Sequence, residues 1–205
     1  MTPADLLTVA GLVFAFVSGW LIWQDNLFVA GCFFLLAGLC DMLDGRVARA
    51  TGKASVFGGI LDSSLDRYGD GFVLGGVLLY GMQSGRTSSL VLTLSALLGS
   101  FSVSYVRARA ECEMDDCRVG FWERGERLVL MSLALLLNNL GAAVWILGVG
   151  THWTALQRLL FAGHRSRNAA GPVPFYLRSA ARGSGAYFLK VAFLAAAVVF
   201  WRPGF

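Results

Sequence analysis

Long apolar runs alternate along this chain with short polar and basic connections, and the longest of them have the length of a membrane-crossing helix rather than of a strand. The first, Leu6 to Gln24, is uncharged and predicts a helix from about Ala4 to Gln24, with Thr2 and Pro3 suited to its N-cap and first position. It lacks a charged n-region before it and a small-residue cleavage pattern after it, so it reads as a retained span and not a signal peptide. A second helix begins near Leu27, is apolar to Cys40, and keeps its helical pattern through Asp41, Asp44 and Arg49. The loop Ala50 to Phe57 leads to a third, which starts near Gly58, presents Asp62 and Asp66 in its first two turns, and turns apolar at Phe72. A fourth covers Ser88 to Val106, and a fifth begins near Glu123 and is apolar from Leu128 to Leu137. Asn138 to Gly141 interrupts the pattern before a sixth, Ala142 to Phe161. The expectation is an all-α polytopic membrane protein: a six-helix transmembrane domain over residues 1–162, then a basic tail over 163–205. That tail ends in a short apolar run, Ala186 to Trp201, read as an interfacial helix or a seventh span.

Composition agrees. With 56% hydrophobic and 15% charged residues in 205, the chain falls outside the soluble range and makes one domain the natural count. The net charge of +4 matters through its placement. Arg46, Arg49, Lys53, Arg107, Arg109, Arg118, Arg124, Arg127, Arg165 and Arg167 sit in alternate connections, which places those connections and the nearby carboxylates on the cytoplasmic face of an inner or plasma membrane. Four cysteines, two in an apolar span and two in a reducing-side loop, are expected as free thiols, and Cys112 with Cys117 lacks the nearby soft ligands a zinc site needs.

The candidate chemistry begins with charge in an apolar setting. Asp41 and Asp44 are three apart and Asp62 and Asp66 four apart, so each pair projects from one helix face. A short connection makes the two helices antiparallel neighbours and brings all four carboxylates together. Poorly solvated carboxylates repel one another, and a divalent cation with oxygen ligands relieves that repulsion. Surface carboxylates at helix ends would be the plainer reading. Asp70 continues the stripe, either behind the ligands or as a packing group. Gly71, Gly75 and Gly76 allow another backbone to approach, within the protomer or at a homodimer seam. Helix parity then carries Arg107, Arg127 and Arg158 to the carboxylate face, where three guanidinium groups would make an anion pocket; singly, each could be a headgroup anchor. Arg158 is the one charge at the end of a run, Leu128 to Gln157, that has no other.

The pattern Asp41, Asp44, Gly45, Ala48, Arg49, Gly58, Asp62, Asp66 places eight fixed identities in 26 residues and resembles the signature of the CDP-alcohol phosphotransferase family without a departure. The resemblance implies a six-helix membrane enzyme that moves a substituted phosphate from a CDP-linked lipid such as CDP-diacylglycerol to an alcohol and releases CMP. It implies that Asp41, Asp44, Asp62 and Asp66 hold two divalent ions, Mg2+ or Mn2+, that Gly45, Ala48, Arg49 and Gly58 line the CDP-lipid site, and that Asp66 is the general base. The runs SYVRARAE, ERGER and TALQR look like the branch that uses inositol 1-phosphate, whose phosphate would meet Arg107, Arg127 and Arg158. Arg107 stands where lysine is more usual, and an amphipathic segment before the first helix is missing. Glycerol 3-phosphate as acceptor is the alternative within the family, and a divalent cation channel or transporter the alternative from another class. A homodimer is expected from the family, and no nucleic-acid partner.

Overall fold

The computed structural model describes residues 3–52, 54–85, 87–114, 116–117, 119–167 and 185–201, which form seven α-helices and no strand. They are α1 (Pro3–Trp23), α2 (Leu27–Ala50), α3 (Val56–Gln83), α4 (Thr87–Glu111), α5 (Arg124–Leu136), α6 (Leu140–Arg167) and α7 (Gly185–Phe200). The expected cap at Thr2 and the tail residues Arg178 and Arg182 lie outside the described residues, as do Lys53 and Arg118.

The helix starts follow local chemistry that periodicity does not report. Ser55, in extended conformation, caps α3 by accepting the Gly58 N–H at 3.0 Å, so α3 begins two residues before the expected start. α4 and α6 both outlast their apolar runs. In α4, Arg107 pairs with Glu111 at 2.8 Å and Arg109 with Glu113 at 2.9 Å, each one turn on, which supports a last polar stretch that hydrophobicity alone would end at Val106. Between α5 and α6 the chain reverses through Asn138 at φ 52°, a left-handed position that asparagine tolerates better than most residues, at the expected break.

Consecutive helices run antiparallel. Ser18 in α1 donates to the Ala30 carbonyl of α2 at 2.9 Å, and Thr8 near the start of α1 reaches Asp44 near the end of α2. α1 crosses α3 where Gly19 meets Phe72 and Gly76 backbone to backbone, so a Cβ on either glycine would overlap main-chain atoms. Gly76 is therefore the member of the expected glycine series that packs against another backbone within the chain, whereas a Cβ on Gly71 would only touch the Phe101 ring and one on Gly75 would meet nothing within 4 Å. The shared core joins Ile22, Phe34, Val73, Val77, Met131, Leu135, Val144 and Leu147.

Three helices, α1, α2 and α4, are long and apolar enough to cross a membrane. α3 and α6, at 28 residues each, have the length but carry more polar positions, and α5 has 13 residues. With this alternation the end of α2, the start of α3, the end of α4, the start of α5 and the end of α6 gather at one end of the bundle. α7 runs in the same direction as α5: Tyr187 at its start donates to Glu126 Oε1 at 3.0 Å, and Asn139, beyond the end of α5, donates to the Val198 and Trp201 carbonyls at its finish. It thus stands beside the bundle along the whole of α5.

Candidate active site

The carboxylates converge at the gathered end. Asp41, Asp62 and Asp66 each offer an oxygen within 4.8 Å of the others, the one cluster of three or more metal-ligating side chains among the described residues. Asp44, the fourth expected ligand, is buried one turn beyond Asp41, where its Oδ2 accepts the Thr8 hydroxyl at 2.7 Å; it borders the same small cavity as Asp41, Asp62 and Asp66. The first helix, expected as a membrane span, therefore takes part in organising the site.

Arg124, a basic-loop residue to sequence reasoning, turns out to be central. Its Nη1 lies 2.6 Å from Asp41 Oδ2 and 2.9 Å from Asp66 Oδ1, joining α2, α3 and α5 through one guanidinium. Arg67 stands 3.6 Å from the other oxygen of Asp66. One turn along, Arg127 Nη2 donates to Asp70 Oδ2 at 2.8 Å and its Nη1 to the Trp122 carbonyl at 3.2 Å, with both members of the ion pair under a tenth exposed. The two rungs follow from helix geometry, since Asp66 and Asp70 are four apart on α3 while Arg124 and Arg127 are three apart on α5. Asp70 is thereby a partner for Arg127, whose buried charge would otherwise stand uncompensated.

The donor set fits a divalent cation. All three converging groups are carboxylates, the hard oxygen ligands that Mg2+ and Mn2+ take, and Asp62 Oδ1 is buried with no hydrogen-bond partner. Cys112 is exposed and Cys117 buried, neither belongs to a cluster of metal-ligating side chains among the described residues, and burial pushes the Cys117 thiol up from its usual range. All four cysteines are free.

Arg107, Arg127 and Arg158 border one cavity of about 1080 Å³ together with Asp41, Asp62 and Asp66. Arg158 is 1% exposed and held from two sides, with Nε donating to the Val119 carbonyl at 2.9 Å and Nη1 to Val103 at 2.6 Å, while Nη2 is buried without a partner. Gly120, at φ 94° against Thr154, makes the turn that brings the Val119 carbonyl to Arg158. Gly45, Ala48, Arg49 and Gly58 do not border this cavity; they occupy the next turns of α2 and α3 toward the loop, with Arg49 exposed and its guanidinium folded back over Gly45.

The profile of the CDP-alcohol phosphatidyltransferase family matches residues 1–157. The chain belongs to that family. Like other CDP-alcohol phosphatidyltransferases it is a membrane phosphotransferase, and the reading as a cation channel falls away. Archaetidylinositol phosphate synthase from Pyrococcus horikoshii is 35% identical over 166 residues, which is 80% of this chain and 85% of that protein. Phosphatidylinositol phosphate synthase from Mycolicibacterium smegmatis is 36% identical over 188 residues, 83% of this chain and 80% of the relative. A crystal structure of Mycobacterium tuberculosis phosphatidylinositol phosphate synthase with CDP-DAG bound superposes with a TM-score of 0.74 at 30% identity, covering 85% of this chain and 92% of that one. The same enzyme in complex with manganese and citrate gives 0.75, covering 84% of this chain and 88% of that one.

Proposed function

We propose that this CDP-alcohol phosphatidyltransferase joins the lipid phosphate of a CDP-linked lipid to the hydroxyl of inositol 1-phosphate and releases CMP. The observation that carries the acceptor is that Arg107, Arg127 and Arg158 border the same cavity as the converging carboxylates. Three guanidinium groups suit an acceptor that brings its own phosphate, because bidentate arginine contacts are made by anions and a neutral polyol would gain little from them. Similarity to synthases of archaetidylinositol phosphate and phosphatidylinositol phosphate supports the same acceptor.

In this reading the acceptor hydroxyl oxygen attacks the lipid-side phosphorus of the diphosphate. A new P–O bond forms, the bond to the bridging oxygen breaks, CMP leaves with that oxygen, and the hydroxyl proton passes to Asp66. Asp66 lies at the junction of the carboxylate cluster and the arginine-lined cavity, held by Arg124 and Arg67. Asp41, Asp44, Asp62 and Asp66 would hold two divalent ions, Mg2+ or Mn2+, and when bound these supply charge neutralisation at the attacking and leaving oxygens. Arg49, beside the small surfaces of Gly45, Ala48 and Gly58, would meet the diphosphate and cytidine. Helices α1 to α6 are read as six spans with the site on the cytoplasmic face, and α3 around Gly75 as the seam of a homodimer.

The test is CMP release by purified protein in nanodiscs, given CDP-diacylglycerol or its ether analogue, Mg2+, and either inositol 1-phosphate, inositol, glycerol 3-phosphate or no acceptor. Release dependent on inositol 1-phosphate is the expected result. Product with glycerol 3-phosphate alone overturns the acceptor assignment.

A further inference from the structure

The cavity has two chemically different ends. At one stand Asp41, Asp62, Asp66 and the three arginines; toward the other it is lined by Leu130 and Leu133 of α5 and by Val191, Leu194 and Ala195 of α7. Leu133 is nine positions along α5 from Arg124, so at 1.5 Å per residue the cavity reaches roughly 13 Å from the charged end into an apolar one.

We propose that α7 supplies the apolar wall of a slot that holds one hydrocarbon chain of the lipid donor. This rests on the donor assignment above and adds a segment to it, because α7 lies beyond residues 1–157, where the family profile ends. The helix is built to stay in place. Tyr187, Val191, Leu194, Ala195 and Val198 recur at helical spacing on the face turned to the bundle, while Leu189 and Phe193 point outward, 75% and 73% exposed. It is fixed at its start by Tyr187 on Glu126, and at its finish by the Asn139 amide on two carbonyls and by Trp201 against Trp145, ring centroids 6.1 Å apart. Val198, 1% exposed, seats it in the main core.

The occupant follows from the two ends. A small phosphorylated alcohol has nothing to offer Leu133, Val191 and Leu194, and a plain hydrocarbon has nothing to offer three carboxylates and three arginines. A molecule with a diphosphate head and hydrocarbon chains satisfies both, and a volume of about 1080 Å³ stands at the top of the range for small-molecule sites.

The test compares CDP-lipids with long and with short chains as donors for wild type, Val191→Trp and Ala195→Trp. Filling the slot with indole should raise the KM for the long-chain donor about tenfold or more, since each displaced methylene loses its burial, and leave the short-chain donor and the acceptor KM unchanged. Phe193→Trp, on the outer face, should leave all three constants as in wild type. In addition, a long-chain CDP-lipid bearing a chain diazirine should label wild type within residues 191–195, which needs no variant to fold. Equal effects on both donors, unchanged constants in both slot variants, or labelling confined to other helices overturns the role of α7. No CMP release by wild type from either donor with any acceptor overturns the donor assignment and this inference together; release with wild-type behaviour in both slot variants overturns this inference alone.

Discussion

Replacing Arg158 with lysine separates an anion-binding residue from a structural staple. The guanidinium is 1% exposed, with Nε and Nη1 given to the carbonyls of Val119 and Val103 and Nη2 buried and unpaired at the edge of the cavity. A buried donor with no partner carries a desolvation cost, which an acceptor phosphate oxygen would relieve. Lysine keeps the charge but lacks the planar fork, so it cannot satisfy both carbonyls and also present a third donor in a fixed direction. Losing one charge-assisted hydrogen bond to phosphate costs about 1.5 to 3 kcal/mol, which is ~10- to ~150-fold in kcat/KM for the acceptor. Initial rates of CMP release with varied acceptor at saturating donor should show that loss, with donor KM unchanged, and melting in detergent should report the separate cost of the altered carbonyl contacts. Unchanged acceptor kinetics together with a lower melting temperature would refute the reasoning and leave Arg158 as a tie between α4, the following loop and α6.

Asp66→Asn should abolish transfer while CDP-lipid binding, measured by titration calorimetry, survives; substantial turnover in that variant removes Asp66 as the base. Gly76→Ala should destabilise the protein by roughly 1 to 3 kcal/mol, because its methyl group meets the Gly19 backbone, which cannot yield as a side chain would. Gly75→Ala, with open space around it, should stay within about 0.5 kcal/mol in the same melts; equal shifts would mean that the α1–α3 crossing is not tight.

Sequence spacing brought the carboxylates and arginines to one place because helix periodicity and short antiparallel connections are local properties. Asp41, Asp62 and Asp66 converge from two helices as the 3.6-residue period requires, and Arg107, Arg127 and Arg158 reach the same cavity by helix parity. What the spacing did not carry is the pairing between helices distant in the chain. Arg124 was one of many basic residues near a helix start, and only the docking of α5 on α2 and α3 makes it the bridge between Asp41 and Asp66. A signal was present in retrospect: two arginines three apart opposite two aspartates four apart. Thr8 looked like an ordinary polar position in an apolar helix, and its bond to Asp44 spans 36 residues. The seating of α7 depends on the Asn139 amide and Val198, which no periodicity in the final run discloses.

The helices around the site differ in how far they extend past it, and that difference shapes the path of the acceptor. From Asp41 to Ala50 in α2, and from Arg158 to Arg167 in α6, the chain climbs roughly 13 Å beyond the groups at the floor, and α3 descends about 15 Å from Val56 to Asp66. α5 opens at Arg124, level with the carboxylates that this guanidinium joins. On the ends of α2 and α6 beyond the carboxylates stand Arg46, Arg49 and Arg167, all exposed, while the exposed Glu111 and Glu113 near the end of α4 are each paired with an arginine one turn back. An anion approaching along the ends of α2 and α6 meets these positive charges on its way to the carboxylates, and their attraction falls as salt screens it over a Debye length of about 8 Å at physiological ionic strength.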